Sequence, residues 1–146
     1  MSRWYEVKLD IDSNGTFFVA VPAFPEVTTY GEDQESACEN ALDAIEEAIA
    51  ARISDGDDIP HPLAETTGKG WFVELSLLIY LKTSLYMISR HKGITRAEIA
   101  RRMGVHREQV DRIFRLDHNS RMDQIEAAFK AIGVPVRVEL PLPDAA

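Results

Sequence analysis

Nine lysines and arginines lie between residues 90 and 121, against four aspartates and glutamates. Within that stretch Arg107, Glu108 and Arg112 are spaced to share the outer face of one helix. Arginine can donate two hydrogen bonds to guanine O6 and N7, and glutamate can accept one from cytosine N4, so such a face is equipped to read base edges in a DNA major groove. His106 precedes these residues, either as a further base contact or as the helix cap. Arg96, Arg115, His118, Asn119 and Arg121 fall at expected helix ends and in the following loop, where hydrogen bonds to phosphates position a protein without specifying a site.

Other chemistry has less support. Asp10 and Asp12 could hold Mg²⁺ in a nuclease, but their i, i+2 spacing also sets them on the solvent face of a half-buried strand beside a turn. Cys38 borders an alanine-rich stripe and reads as a small core residue. One cysteine builds no zinc cluster, and the four histidines lack the i, i+4 spacing of a helical metal pair. The expectation is no metal, no cofactor and no enzymatic activity.

The arginine face needs a scaffold, and the spacing from Arg96 onward predicts one. Ile99, Ala100, Met103, Gly104, Val105, Val110 and Ile113 follow helix-turn-helix spacing. A small residue sits where two short helices cross, a glycine stands in the tight turn, and apolar residues fix the crossing. Thr95 and Glu98 predict a capping box for the first helix. The second is expected over about His106 to Arg115, entering the groove by its N-terminal residues. Leu77 to His91 predicts a preceding helix that stops at Gly93, and Ser120 or Asn119 is expected to cap a last one carrying Ile125, Ala128, Phe129 and Ile132 and ending at Gly133.

The other half reads differently. Tyr5, Val7, Leu9 and Ile11 alternate with charged residues, Ser13-Asn14-Gly15 is a turn, and Thr16 to Val21 resumes as a second strand. Val27 to Tyr30 predicts a third strand. Asp33 is placed to cap a helix of about twenty residues whose stripe is Ala37, Ala41, Leu42, Ile45, Ala48, Ile49 and Ile53. Trp71 to Leu75 predicts another strand.

Charge separates the halves. The chain has 146 residues and a net charge of −8, but Met1 to Glu65 carries three basic against fifteen acidic residues, whereas Thr66 to Ala146 carries thirteen against nine. Opposite electrostatics imply two partners of opposite charge. The Pro- and Gly-rich stretch between them reads as a linker or long surface loop. Accordingly residues 1–62 are expected to form an acidic domain, 63–70 a linker and 71–146 a DNA-binding and dimerisation domain. With no long apolar run and no secretory leader in the sequence, a cytoplasmic protein without membrane contact is the default expectation.

Both halves together resemble the HicB family of bacterial antitoxins. The likeness rests on the hairpin at Asn14-Gly15, the run Val21-Pro22-Ala23-Phe24-Pro25-Glu26-Val27-Thr28-Thr29-Tyr30-Gly31, the acidic helix with Glu35, Ala37, Asn40 and Ala41, and the stretch Ala97-Glu98-Ile99-Ala100-Arg101-Arg102-Met103-Gly104. Within the family's usual F-P-D-L-P-G-x-x-T-x-G, this chain departs at Val21, Ala23 and Glu26. The resemblance implies an α+β protein: a partial ribonuclease H-like β-β-β-α(-β) domain without catalysis, and an all-α helix-turn-helix domain with short flanking strands. It further implies that the first domain covers the active site of a small basic HicA-type ribonuclease toxin, and that the second binds double-stranded operator DNA of its own operon. Glu35, Glu39, Asp43 and Glu46 are the acids expected to face the toxin.

Two further readings are open at this stage: a stand-alone regulator whose acidic domain senses a ligand or another protein, and a nuclease using Asp10 and Asp12. Val136, Val138 and Leu140 alternate with Arg137 and Glu139, which predicts a C-terminal strand. Pairing it and Val73-Leu75 with their copies in a second chain would give a homodimer, or a larger assembly, with two recognition helices about 34 Å apart.

Overall fold

The computed structural model describes residues 3–145. It is an α+β arrangement of a four-stranded antiparallel sheet and five helices. The chain runs through β1 (Trp4–Ile11), β2 (Phe17–Ala20), β3 (Thr28–Gly31), α1 (Gln34–Asp55) and β4 (Trp71–Glu74). It continues through α2 (Leu77–Lys92), α3 (Arg96–Met103), α4 (Arg107–Phe114) and α5 (Met122–Ala131).

The sheet order is β3-β2-β1-β4. The hairpin forms where the alternation predicts it, with Leu9 opposite Val19 and Ile11 opposite Phe17. Asp12 shapes its turn by accepting from the amides of Asn14 and Thr16, both at 2.9 Å. One face of the sheet is apolar: Tyr5, Val7, Val19 and Val73 are buried there. Helix α1 covers that face with Ala37, Ala41, Ile45, Ala48, Ile49 and Ile53, all buried. Three alanines in the stripe let the helix axis come close. Asp33 caps α1 as expected, accepting from the Ser36 amide at 2.7 Å while the Ser36 hydroxyl completes a capping box.

Gly31 ends β3 against the first turn of α1. A Cβ at this position would sit 2.3 Å from the Ala37 nitrogen and 2.6 Å from its Cα, so the requirement is for space.

One expectation needs correction. Strand Trp71–Glu74 does not open the helical half; it pairs antiparallel with β1, Tyr5 opposite Val73 and Val7 opposite Trp71. The buried Val73 belongs under α1, and a piece ending at residue 62 would leave the first half of β1 without its neighbour. Val136 to Leu140, expected to pair with its copy in a second chain, lies in no strand among the described residues of the single chain. Its backbone has no ladder partner there, and Val138 and Leu140 are exposed.

The stretch after α1 is held from both sides. Tyr5 donates to the Pro60 carbonyl at 2.7 Å and Tyr86 of α2 to that of Asp57 at 2.7 Å. Arg52 makes a bidentate pair with Glu26 at 2.9 and 3.0 Å, donates to the Asp58 carbonyl and lies over the Phe24 ring. One continuous apolar core therefore runs from the sheet into α2–α5.

Gly31→Ala should lower the stability of the folded chain by about 1–3 kcal/mol, the usual cost of overpacking a close contact. Urea unfolding followed by circular dichroism measures it, and a midpoint unchanged from that of the parent chain would show that α1 can move away freely.

Candidate functional site

Helices α3 and α4 stand where the spacing predicts a helix pair. Ile99, Ala100, Val110 and Ile113 are buried between and behind them, with Met103 and Val105 half-buried. Gly104 takes φ 69°, the left-handed conformation that closes the turn, and the Val105 amide donates back to Ala100 at 3.0 Å. Thr95 caps α3 by accepting from the Glu98 amide at 3.1 Å. The expected reciprocal half of that box is missing because the Glu98 carboxylate is taken by Arg101 and Arg102, whose guanidinium groups hold it down to about 2.

Arg107, Glu108 and Arg112 are exposed on α4. Arg112 and Glu108 have no side-chain partner among the described residues, and Arg107 only approaches Asp111 at 3.9 Å. His106 stands at the N-cap position, yet its side chain makes no capping hydrogen bond.

The flanking residues are more committed. Arg96 is half-buried, pairs with Asp111 at 3.1 Å and lies 4.8 Å above the Phe114 ring, bracing α3 against α4. Arg115 pairs with Asp117 at 3.1 and 3.0 Å, and Arg121 with Asp123 at 2.8 Å. Asn119 is exposed. The half-buried His118 places Nδ1 3.0 Å from the Ser120 hydroxyl. Neither Ser120 nor Asn119 caps α5, as had been expected; Arg121 holds the N-cap position without a side-chain cap. Ser120 is buried, with its hydroxyl turned towards His118 and the Arg112 carbonyl.

The residue that sequence reasoning missed is Lys82. It is fully buried on α2, and its ammonium donates to the carbonyls of Arg112, Arg115 and His118 at 3.2, 2.5 and 2.6 Å. Helix α4 ends without glycine, in an extended Arg115, so its last carbonyls need donors from elsewhere. A cation is the donor best matched to the negative end of a helix. Lys82 thus fixes both the end of α4 and the loop carrying Arg115, His118 and Asn119. The available signal was a lysine between Ile79, Leu81, Leu85 and Tyr86 on the buried side of α2.

On the opposite half, Glu35, Glu39 and Asp43 are exposed along α1 and Glu46 is half-buried, with no ion pair to any of the four among the described residues. Burial and then the neighbouring Asp43 push the Glu46 carboxyl up. Asp12 is engaged in its turn. Among the described residues no cluster of three or more metal-binding side chains occurs. Cys38 is half-buried, and that burial pushes its thiol up. No helix of the described residues is long and apolar enough to cross a membrane.

A small sheet covered by one acidic helix is thus followed by four helices, with Arg107 and Arg112 exposed on α4. The family model of HicB-like antitoxins of bacterial toxin-antitoxin systems matches residues 4–84, and the chain belongs to that family. It is 34% identical over 129 residues to antitoxin HicB 1 of Photorhabdus laumondii, covering 88% of this chain and 81% of that protein. Antitoxin HicB of Pseudomonas fluorescens is 30% identical over 133 residues, covering 90% and 91%. Antitoxin HicB of Escherichia coli is 32% identical over 129, covering 88% and 93%. The chain is therefore an antitoxin, and its family implies a toxin partner. These relatives are named as antitoxins and not as enzymes.

Lys82→Met keeps the bulk of the side chain and removes the ammonium. It should cost about 1–3 kcal/mol through the carbonyls left without donors and speed amide hydrogen exchange at 115–120 while leaving α1 protected. Burial pushes the Lys82 ammonium down to about 8, below its usual 10.5. Between those values the unfolded chain binds more protons, so the stability of the parent chain relative to Lys82→Met should rise from pH 8 towards pH 10.5. Denaturant unfolding of both proteins at pH 7 and pH 10 checks the sign; a difference that shrinks would contradict it.

Proposed function

We propose that this antitoxin neutralises a HicA-type ribonuclease toxin through its acidic half and represses its own operon by binding operator DNA through a helix-turn-helix formed by α3 and α4. The observation that carries the DNA reading is the pair of guanidinium groups on α4. Arg107 and Arg112 are exposed and almost free of acidic partners, on a helix whose far end is clamped by a buried ammonium. Such groups are ready for bidentate contacts to guanine at little cost in lost pairs. Glu108 and His106 border them at the helix start. Arg115, Arg121 and Asn119 would bind phosphates, the arginines exchanging exposed acidic partners that are worth little in water. Arg96 contributes by bracing the two helices, and His118 by shaping the loop.

For the acidic half, the succession of three strands, a helix and a strand supports a partial ribonuclease H-like domain that ends at β4. The row Glu35, Glu39, Asp43 and Glu46 along α1 supplies a field that attracts a basic partner. Family membership favours this reading over a stand-alone regulator. The exposed apolar tail with Val138, Leu140 and Leu142 suits pairing with a second chain, and a two-fold dimer would present two recognition helices to a palindromic operator.

Fluorescence anisotropy on operator and scrambled duplexes tests the DNA reading. Arg107→Ala and Arg112→Ala should each weaken operator binding by about 1–3 kcal/mol and leave scrambled DNA little changed. Arg121→Ala should weaken both duplexes alike. Equal losses on both duplexes for Arg112→Ala would refute base reading by α4.

A further inference from the structure

The sheet has a second face, turned away from α1, and among the described residues no helix packs on it. Alternation puts Glu6, Lys8 and Asp10 of β1 there. Beside them lie Phe18 and Ala20 of β2 and Thr28 and Tyr30 of β3. Phe18 stands opposite Tyr30 across the β2–β3 pair, and Asp10 opposite Phe18 across β1–β2. The two rings form one cross-strand pair at 49% and 61% exposure. The next row, Lys8, Ala20 and Thr28, holds two small side chains that leave the rings standing clear. Nothing in the packing of this chain needs aromatic residues at either position, because the core lies on the other side.

The half of the chain that carries the rings is acidic, with fifteen acidic against three basic residues between Met1 and Glu65, and on the face itself Asp10 is the carboxylate left over. Asp10 has no ion-pair partner among the described residues. Lys8 is drawn off by Glu6 at 2.8 Å, and Glu74 of the neighbouring β4 is paired with Arg3 at 2.6 Å. An exposed aromatic pair bordered by carboxylates is unsuited to nucleic acid, whose phosphates the acids repel. It is also unsuited to a second copy of itself, since a two-fold contact would set acid against acid. The feature fits a protein that offers an apolar patch ringed by lysine or arginine. Aromatic residues on a surface are the side chains that most often anchor such a contact.

We propose that this bare face of the sheet, centred on Phe18 and Tyr30, is the docking surface for the toxin partner. The acids of α1 then attract the toxin from a distance, while the aromatic pair supplies the contact that holds it. The proposal rests on the toxin-neutralising reading above, and it assigns the anchor to the face opposite the acidic helix.

The test uses the full chain and a HicA-type toxin, the partner class of the proposed function, with affinity measured by calorimetry or biolayer interferometry. Phe18→Ser/Tyr30→Ser should bind the toxin about 30-fold more weakly or worse, the scale of losing an interface anchor. Its thermal unfolding and its binding to operator DNA should stay at parent values. Phe18→Leu/Tyr30→Phe, which keeps the apolar surface, should bind within a few-fold of the parent and so exclude a folding effect. Parent-like toxin affinity in the serine variant would overturn the proposal, as would a change confined to its sedimentation as a dimer. Loss only on charge reversal at Glu39 and Asp43 would move the anchor to α1. A parent chain that does not bind such a toxin at all would instead fail the reading beneath the proposal.

Discussion

The apolar stripe of α1, from Ala37 to Ile53, is the contact on which the acidic half depends. Four short strands have two faces to shield and a single helix to shield them, so the sheet is covered on one side alone. Close approach is secured by small residues at three places in the stripe and by Gly31, where even a methyl group would strike the first turn of the helix. Drawing β4 into the sheet beside β1 extends the covered face and brings the chain directly to Ser76, which caps α2. The acidic and basic halves are thus successive parts of one packed body, with Tyr86, Arg90 and Arg52 tying the intervening loop down.

In the helical half the organising element is a buried positive charge. Burying an ammonium is costly unless its protons are bonded, and Lys82 meets that condition with three carbonyls at the end of α4 and in the next loop. Most arginines around it have acidic neighbours: Arg96 with Asp111, Arg101 and Arg102 with Glu98, Arg115 with Asp117, Arg121 with Asp123. Against that background Arg112, and nearly so Arg107, stand out as cations whose charge is not spent within the chain. The proposed recognition surface is defined as much by which arginines are left over as by where the helix points.

Much of this architecture was legible because it is local. Period-two alternation marks β1, an i, i+4 stripe marks α1, and Gly93 and Gly104 adopt the left-handed conformation that stops a helix. The sequence-distant features were harder. Alternation identifies a strand without naming its partner, so Trp71–Glu74 looked like part of the helical half although it pairs with β1. Ser120 has the side chain of a cap, but burial turned it inward. Lys82 shows in the sequence only as a lysine on an apolar helix face, because its three acceptors lie thirty or more residues away. Phe18 and Tyr30 read as ordinary strand residues until the register set them side by side on the uncovered face.

The proposed function gives one chain two separate surfaces, α4 with its flanking loop for DNA and the acidic sheet half for the toxin. Amide hydrogen exchange of the full chain, measured free, with operator duplex and with the toxin, addresses both at once. DNA should slow exchange between residues 104 and 121 and leave β1–β3 unchanged, while the toxin should slow exchange in β1–β3 and leave α4 unchanged. Protection of the same segment by both partners, or of neither region, would contradict the proposal.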